Sequence, residues 1–507
     1  MSQKLLYRRQ YVLSSFPISS IQGWLTDSFN FKNKNISLQY HPDLTYHREK
    51  VDSRELFILG YILDPANPGY DNCTILKNLL KNINYCDLVK ALEKYNGRFV
   101  LIYKDQNNLN IVGDAVGFRQ IYYFYTANGD FICGSTSNLI SKLFNIPVTS
   151  DNNILSFYKS KEFKNSNHIW VGNQTLYDGI FQLLPNYYLD VPARKYVRYW
   201  PAEPITKIDA DECAERCAGI IRGTFLSALN RYELHMGVTA GWDSRLLLSA
   251  TRDFKDKIFY YVNKGPDHST YLRDLEIPRK LSEKLGISIN ILEIDKEVDK
   301  KFSEIFFINE ILARPQLMPI FYDAYKRKND NKFTVSGTMG NGLARIYMRI
   351  PEGADLNGNS VAALSKLIGS SYAVERLNQW VIEVKSVCSD YKIDIMDLYQ
   401  MEQENPHWAS LASAEQDIVR DEIRPFNNQE LIRLFWSLED HYRFQYYPLI
   451  YIKIMNILWK EVTDIPLNPS LKSSLYDILR QVGMDQKIYY YFKKRKFLKL
   501  LHTRKSG

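Results

Sequence analysis

Cysteine is scarce in this chain: Cys73, Cys86, Cys133, Cys213, Cys217 and Cys388 are scattered over 507 residues. So thin a scatter excludes a disulfide scaffold and suits a reducing compartment. Cys213 and Cys217 stand four apart on an expected helix, but no second pair or nearby His completes a zinc set, so both read as packing residues. Long apolar runs are missing too. Without about eighteen consecutive apolar residues no membrane span is expected, and the opening Met1-Ser-Gln-Lys-Leu-Leu-Tyr-Arg-Arg-Gln10 lacks the apolar core of a secretory signal. The expected location is cytoplasmic. Acidic residues are absent from 487–507, where eight of the 65 Lys and Arg fall. The rest of the chain therefore balances its 57 Asp and Glu, and the whole formal charge of +8 sits in a basic tail.

What is present has the balance of a globular protein, 45% hydrophobic and 24% charged, with length for two or more domains. The first two hundred residues read as β-rich, with strands expected at 56–63, 99–103, 109–112 and 121–125. Pro201 and Pro204 suit a boundary after an aromatic connector. Asp209, with Glu212 three positions on, is a capping-box-like start for a helix reaching about Arg231. Strands at 258–262, 287–293 and 332–336, with a helix over 271–285 that stops at Gly286, imply a parallel, doubly wound sheet that binds ligands at its carboxyl ends. In the helical last third, Trp408, Phe435, Trp436, Tyr442, Phe444, Tyr446, Tyr447, Tyr451 and Trp459 read as core. No basic patch interleaves with most of them, so no specific nucleic-acid partner is expected.

One phrase organises the whole: His235-Met-Gly-Val-Thr-Ala-Gly-Trp-Asp-Ser-Arg-Leu-Leu-Leu-Ser249. It reads as strand, small-residue turn and helix start, a form that leaves backbone N–H groups and the positive helix end facing an anion. The plainer reading is an ordinary turn with Asp243 or Ser244 as N-cap. Thr239-Ala-Gly-Trp-Asp-Ser-Arg245 resembles the pyrophosphate loop of asparagine-synthetase-type ATP pyrophosphatases, Ser-Gly-Gly-x-Asp-Ser. Further similarities follow the family's order: Asn96-Gly-Arg-Phe99, Asp114-Ala-Val-Gly-Phe-Arg-Gln-Ile-Tyr-Tyr123, Asp274 to Gly286, Arg424-Pro-Phe-Asn-Asn428 and Ile465-Pro-Leu-Asn-Pro469. Together they run from about Phe57 to Pro469.

The resemblance implies an N-terminal Ntn-hydrolase-like αββα domain (1–200), a doubly wound parallel α/β synthetase domain of adenine-nucleotide-hydrolase type with a helical C-terminal part (201–486), and the basic tail (487–507). It implies ATP and Mg²⁺, with Val238, Thr239, Ala240, Gly241, Asp243, Ser244, Arg245, Gly337 and Thr338 around the nucleotide. Asp243 and Asn341 would ligate the metal. In the second turn, Ser336-Gly-Thr-Met-Gly-Asn-Gly342, Thr338 replaces a Glu and Asn341 an Asp, which lowers the charge available to Mg²⁺. Glu402, Glu404 and His407 fall where the family has an acid partner, and register does not choose among them. Asp274 reads as an N-terminal acid of its helix by dipole alone, with a role near the phosphates or metal the alternative. Lys472 stands near the position of the family's catalytic Lys, against a solvated lysine as the plain alternative.

The glutaminase chemistry does not carry over. The family's N-terminal Cys nucleophile is replaced by Ser2, and the Asn-Gly oxyanion element by Leu59-Gly60, so the expectation is an inactive glutaminase domain, with Ser2 as an N-terminal nucleophile the alternative. The leading expectation is an ATP-dependent ligase that adenylates a small-molecule, peptide or glycan carboxylate and joins it to an amine or ammonia. β-Lactam synthetases and lasso-peptide cyclases are the nearer relatives by this reasoning, and natural-product, peptide or surface-polysaccharide biosynthesis the setting. The rival is an inactive nucleotide-binding scaffold. For the tail, an anionic membrane surface or a polyanionic partner stands beside a terminal helix with one packed face.

Overall fold

The computed structural model describes residues 2–81, 84–265, 272–328, 332–469, 471–481 and 483–503, with backbone only at 2–3, 272–274, 471–474, 477 and 502–503. Two six-stranded sheets make the N-terminal domain. One runs Phe181–Gln182, Tyr122–Tyr125, Phe131–Gly134, Tyr11–Ser14, Lys34–Tyr40, Leu25–Phe31. The other runs Lys195–Arg198, Tyr187–Asp190, Leu109–Gly113, Asn96–Lys104, Arg54–Leu63, Tyr46–Val51. Every adjacent pair given by register is antiparallel.

The strand Arg54–Leu63 shows why the sequence there is apolar without alternation. Side chains alternate across a sheet, and here both faces are covered: Phe57 and Leu59 pack between the sheets with Val100, Ile102 and Leu13. Leu56, Ile58 and Ile62 pack outward against Ile75, Leu76, Leu79 and Leu88 of the helices Asn72–Leu79 and Tyr85–Ala91. The other sheet is backed by Ser137–Phe144 through Val12, Ile132 and Ile140. The result is the αββα layering expected.

The second domain is built on a five-stranded parallel sheet in the order Ile289–Glu293, Ile258–Lys264, Glu233–Gly237, Lys332–Val335, Glu422–Ile423. The chain lays down the first three strands in one direction, then returns to the far side of Glu233–Gly237 for the last two. That reversal opens a crevice beyond the carboxyl ends of Glu233–Gly237 and Lys332–Val335, where open α/β sheets bind ligands. The helix Ala210–Leu229 starts where the capping signal lies, Asp209 accepting from the N–H groups of Asp211 and Glu212. Leu272–Leu285 ends at Gly286, whose φ of +58° closes it, and Lys255 Nζ donates to the last carbonyls, Leu285 and Gly286. Cys213 and Cys217 are fully buried on Ala210–Leu229, in a packing role.

The domains share one core, because the largest apolar cluster is continuous from Val12, Tyr61 and Ile140 to Phe225, Leu247 and Tyr451. Their seam is also sealed by charge: buried Arg98 and Arg119 both grip Asp417 and Asp421 across it. The segment resembling the family's Arg-x-Pro-Phe turn is a second clasp. Asn427 Nδ2 donates to Gly97 O at 2.6 Å and to Asp114 Oδ1 at 2.9 Å, and Asn96 Nδ2 donates to the carbonyls of Arg424 and Pro425. The N-terminal segment lies on the second domain, with Leu5 buried among Phe302, Phe306 and Phe321 and Asn309 bonded to Leu5 O and Tyr7 N. The side chain of Ser2 lies outside the described residues.

Candidate functional site

The turn after Glu233–Gly237 folds as its small residues allow. Gly241 is the N-cap of Trp242–Ser249, so Asp243 is the second residue of the helix and neither it nor Ser244 is the cap. The first intrahelical bond to the cap is Arg245 N to Gly241 O, so the N–H groups of residues 242–244 lack partners within the helix and face the crevice end. Ser244 and Thr239 brace the loop from inside: their hydroxyls are 2.8 Å apart, Thr239 N donates to Ser244 Oγ, and Gly241 N donates to Thr239 Oγ1. Ala240 is buried and Val238 is fully buried, so these two contribute backbone alone. Asn468 N donates to Ala240 O at 2.7 Å, which docks the 465–469 segment on the loop.

The second turn comes against the first. A Cβ on Gly340 would lie 2.1 Å from Asp243 Oδ1 and 2.6 Å from the Tyr451 hydroxyl, and one on Gly337 3.0 Å from Asp243 Cβ. Glycine at both positions is therefore what lets the Asp243 carboxylate enter the turn. Met339, buried between them, holds φ at +140°, a strained value for a side-chain-bearing residue. Thr338 Oγ1 is 2.8 Å from Ser336 Oγ. Asp243, Thr338, Asn341, Lys366, Glu404 and Trp408 line one cavity of about 370 Å³. Trp408 is half-buried, packing on the core while one side lines this cavity, and Phe435, Trp436, Tyr451 and Trp459 are core as expected.

The metal set expected at Asp243 and Asn341 is not assembled. Arg345 Nη2 donates to Asp243 Oδ2 at 2.6 Å and Nε to Oδ1 at 3.3 Å, while the Tyr451 hydroxyl donates to Oδ1 at 2.9 Å. Both carboxylate oxygens are engaged and the charge is neutralised by a guanidinium that itself lies over the Tyr451 ring. Asn341 is exposed and uncharged, and no cluster of three or more acidic, His or Cys side chains suited to a metal occurs among the described residues. These residues do not fit Mg²⁺. The N–H groups at the start of Trp242–Ser249 suit an anion, while of this loop Asp243 alone lines the cavity and its carboxylate fills the clearance at Gly340.

Arg245 does not face the crevice. It is fully buried and donates to the carbonyls of Val462 at 2.5 Å, Ile465 at 3.0 Å and Pro466 at 3.3 Å. With no carboxylate partner, burial lowers its guanidinium to about 10. The residue holds the segment that docks on the phosphate loop and is not a phosphate contact.

The three acid candidates separate cleanly. Glu402 is fully buried and receives Arg198 at 2.5 Å, Asn186 Nδ2 at 2.8 Å and Trp380 Nε1 at 3.0 Å, so it braces the two domains. His407 is buried, its Nδ1 2.5 Å from Gln403 O, and burial lowers it to about 4. Only Glu404 among the three opens on the cavity with Asp243 and Thr338. Its carboxyl is pushed up to about 7 by burial, against the opposing pull of a bond from Gln400 Nε2 at 2.8 Å and of the Lys366 ammonium. It ends a π-turn, Gln400–Glu404, a distortion that recurs at functional sites. Lys472 falls on the helix Leu471–Gln481 and Asp274 on Leu272–Leu285, but both side chains lie outside the described residues.

Arg345 and Lys366 were missed by sequence reasoning, and Tyr451 was read as core alone. Arg345 had one local signal, a cation three residues past the Gly-rich turn; the other two come from remote segments.

No family model matches the chain, and no curated protein matches it. Among solved structures it is similar to a glutamine phosphoribosylpyrophosphate amidotransferase from B. subtilis complexed with ADP and GMP, at 10% identity over 59% of this chain and 63% of that one, TM-score 0.23. It is also similar to an NH3-dependent NAD synthetase from Campylobacter jejuni, at 13% identity over 41% and 96%, TM-score 0.21. An NMN synthetase from Francisella tularensis aligns at 12% identity over 41% and 94%, TM-score 0.19. The chain thus spans less than two thirds of the amidotransferase. With scores this low, the fold rests on the sheets and registers of the chain itself.

Proposed function

We propose that this protein is an ATP-dependent carboxylate–amine ligase that does not hydrolyse glutamine. The observation that carries the reading is the meeting of Asp243 from the phosphate-type loop, Thr338 and Met339 from the second turn, and Glu404 around one cavity beside a parallel sheet whose strand order reverses there. In the first half-reaction a carboxylate oxygen of the substrate attacks the α-phosphorus of ATP, the bond to the β-phosphate oxygen breaks, and pyrophosphate leaves. The N–H groups of 242–244 and the Thr239 and Ser244 hydroxyls receive the departing negative charge. In the second, an amine attacks the acyl carbon, AMP leaves with the carbon–oxygen electron pair, and the amine proton passes to Glu404. A carboxyl poised at about 7 suits that exchange.

Arg345 supplies resident positive charge beside the phosphates in this reading. Glutamine hydrolysis is left out because Ser2 and Leu59-Gly60 stand where the family has its nucleophile and oxyanion element. The pairing of Asp243 with Arg345 also favours a second reading, a nucleotide-binding protein without turnover. ATP–pyrophosphate exchange with a panel of carboxylates, alongside calorimetry with ATP, separates the two. Exchange that disappears in Asp243→Ala supports the ligase; binding without exchange favours the second reading; absence of ATP binding rejects both.

A further inference from the structure

The terminal helix Asp485–Thr503 has two unlike faces. Inward, Tyr489 and Phe497 are 5% and 2% exposed, and Tyr489 packs on Phe444 at 5.2 Å and bonds to Gln445 Nε2 at 2.9 Å. Lys493 lies over the rings of Tyr347 and Tyr489. This face fixes the helix to the body of the domain. Outward, at ~100° per residue, Lys487, Tyr491, Lys494, Arg495 and Leu498 share one arc, with Phe492 and Lys499 at its edge; Lys494 Nζ also reaches back to the carbonyl of Glu352 at 3.2 Å. Tyr491, Phe492 and Leu498 are 62%, 59% and 42% exposed. Met484 just before the helix is 47% exposed, and Leu475 and Ile478 of the preceding helix are 54% and 61% exposed. After Asp485 the sequence contains no acidic residue.

We propose that this outward face seats the protein on an anionic lipid surface. Two independent properties are needed for such a seat, and both are here: cations that attract anionic headgroups, and apolar side chains long enough to enter the headgroup–acyl boundary between them. A phosphate backbone would need the cations but not the exposed Leu498, Met484, Leu475 and Ile478. A second copy meeting this face with the same face would oppose cation to cation. No helix among the described residues is long and apolar enough to cross a membrane, so the contact is peripheral. Because the inward face of the same helix, through Tyr490, Lys493 and Phe497, lines a small cavity beside Tyr347 and Lys366, which also line the cavity holding Glu404, docking would turn that side of the site toward the lipid.

The test is co-sedimentation of the full chain with vesicles of phosphatidylcholine alone and of phosphatidylcholine with phosphatidylglycerol, at low and high salt. Binding is expected only with phosphatidylglycerol and to weaken with salt. The exposed-residue variant Lys487→Glu/Lys494→Glu/Arg495→Glu should weaken partitioning by roughly a hundredfold or more. Tyr491→Ser/Phe492→Ser/Leu498→Ser should also lose binding while its circular dichroism stays unchanged. The proposal is overturned if the wild type fails to pellet with anionic vesicles, or if the apolar variant binds as well as wild type, which marks simple polyanion adsorption. It is equally overturned if the wild type is a dimer by light scattering that these variants convert to monomer.

Discussion

Arg345 and Asp243 form a two-point ion pair at the edge of the cavity, Nη2 to Oδ2 at 2.6 Å and Nε to Oδ1 at 3.3 Å, with the Asp243 carboxylate packed against Gly337 and Gly340. The pair joins the first turn of the phosphate-type helix to the end of the second Gly-rich turn. It also replaces the carboxylate-plus-metal arrangement that the loop sequence suggests with a carboxylate-plus-guanidinium one.

The first consequence concerns metal dependence. ATP should bind the wild type with similar affinity in EDTA and in Mg²⁺, measured by calorimetry, because Arg345 already neutralises Asp243. Arg345→Gln exposes an uncompensated carboxylate to the phosphates and should lose about tenfold or more in EDTA, with Mg²⁺ restoring part of it. A wild type whose affinity collapses on chelation would show that Asp243 leaves Arg345 for a metal.

Glu404 should titrate near neutrality. Its folded value of about 7 lies above the ordinary 4.5, so between these values the folded state holds a proton that the unfolded chain has lost. Its contribution to stability is present below pH 4.5 and falls as pH rises toward 7. The melting temperature of Glu404→Gln minus that of wild type should therefore climb across this interval and level off above it. Amide formation, the half-reaction in which Glu404 takes the amine proton, should rise through the same range in wild type and lose that rise in the variant.

Glu402 should behave as a strut. Glu402→Ala strands the Arg198 guanidinium and removes a fully buried carboxylate from the domain seam, a change of about 3–5 kcal/mol. Thermal unfolding should show the loss, and ATP affinity measured well below the melting temperature should change little. A large loss of affinity with unchanged stability would return Glu402 to the list of site residues.

Arg245→Met tests the buried loop anchor. Leaving the carbonyls of Val462 and Ile465 without their donor should cost roughly 3 kcal/mol. Protease cleavage near 462–468 should accelerate. Were Arg245 instead a phosphate contact, nucleotide affinity would fall without this local opening.

The sequence alone determined a good deal. The uninterrupted apolar run 56–63 meant a strand covered on both faces, Asp209 and Gly286 marked helix ends, and the small residues at 240–241 meant a strand-to-helix turn with exposed N–H groups. These are local effects, set by side-chain period, capping and backbone freedom, and each is legible within a dozen residues. The same locality explains why Glu402, Glu404 and His407 could not be told apart as the acid partner, and why Asp243 read as a metal ligand. Tertiary structure alone decided their roles, because the surroundings that fix a buried carboxylate's role are distant in sequence: Arg198 for Glu402, Arg345 and Tyr451 for Asp243, and, for Glu404 with its local bond from Gln400, a cavity walled by remote segments. It decided the two faces of the basic tail as well, since only packing on Phe444 and Tyr347 determines which of its aromatics are buried and which meet the solvent.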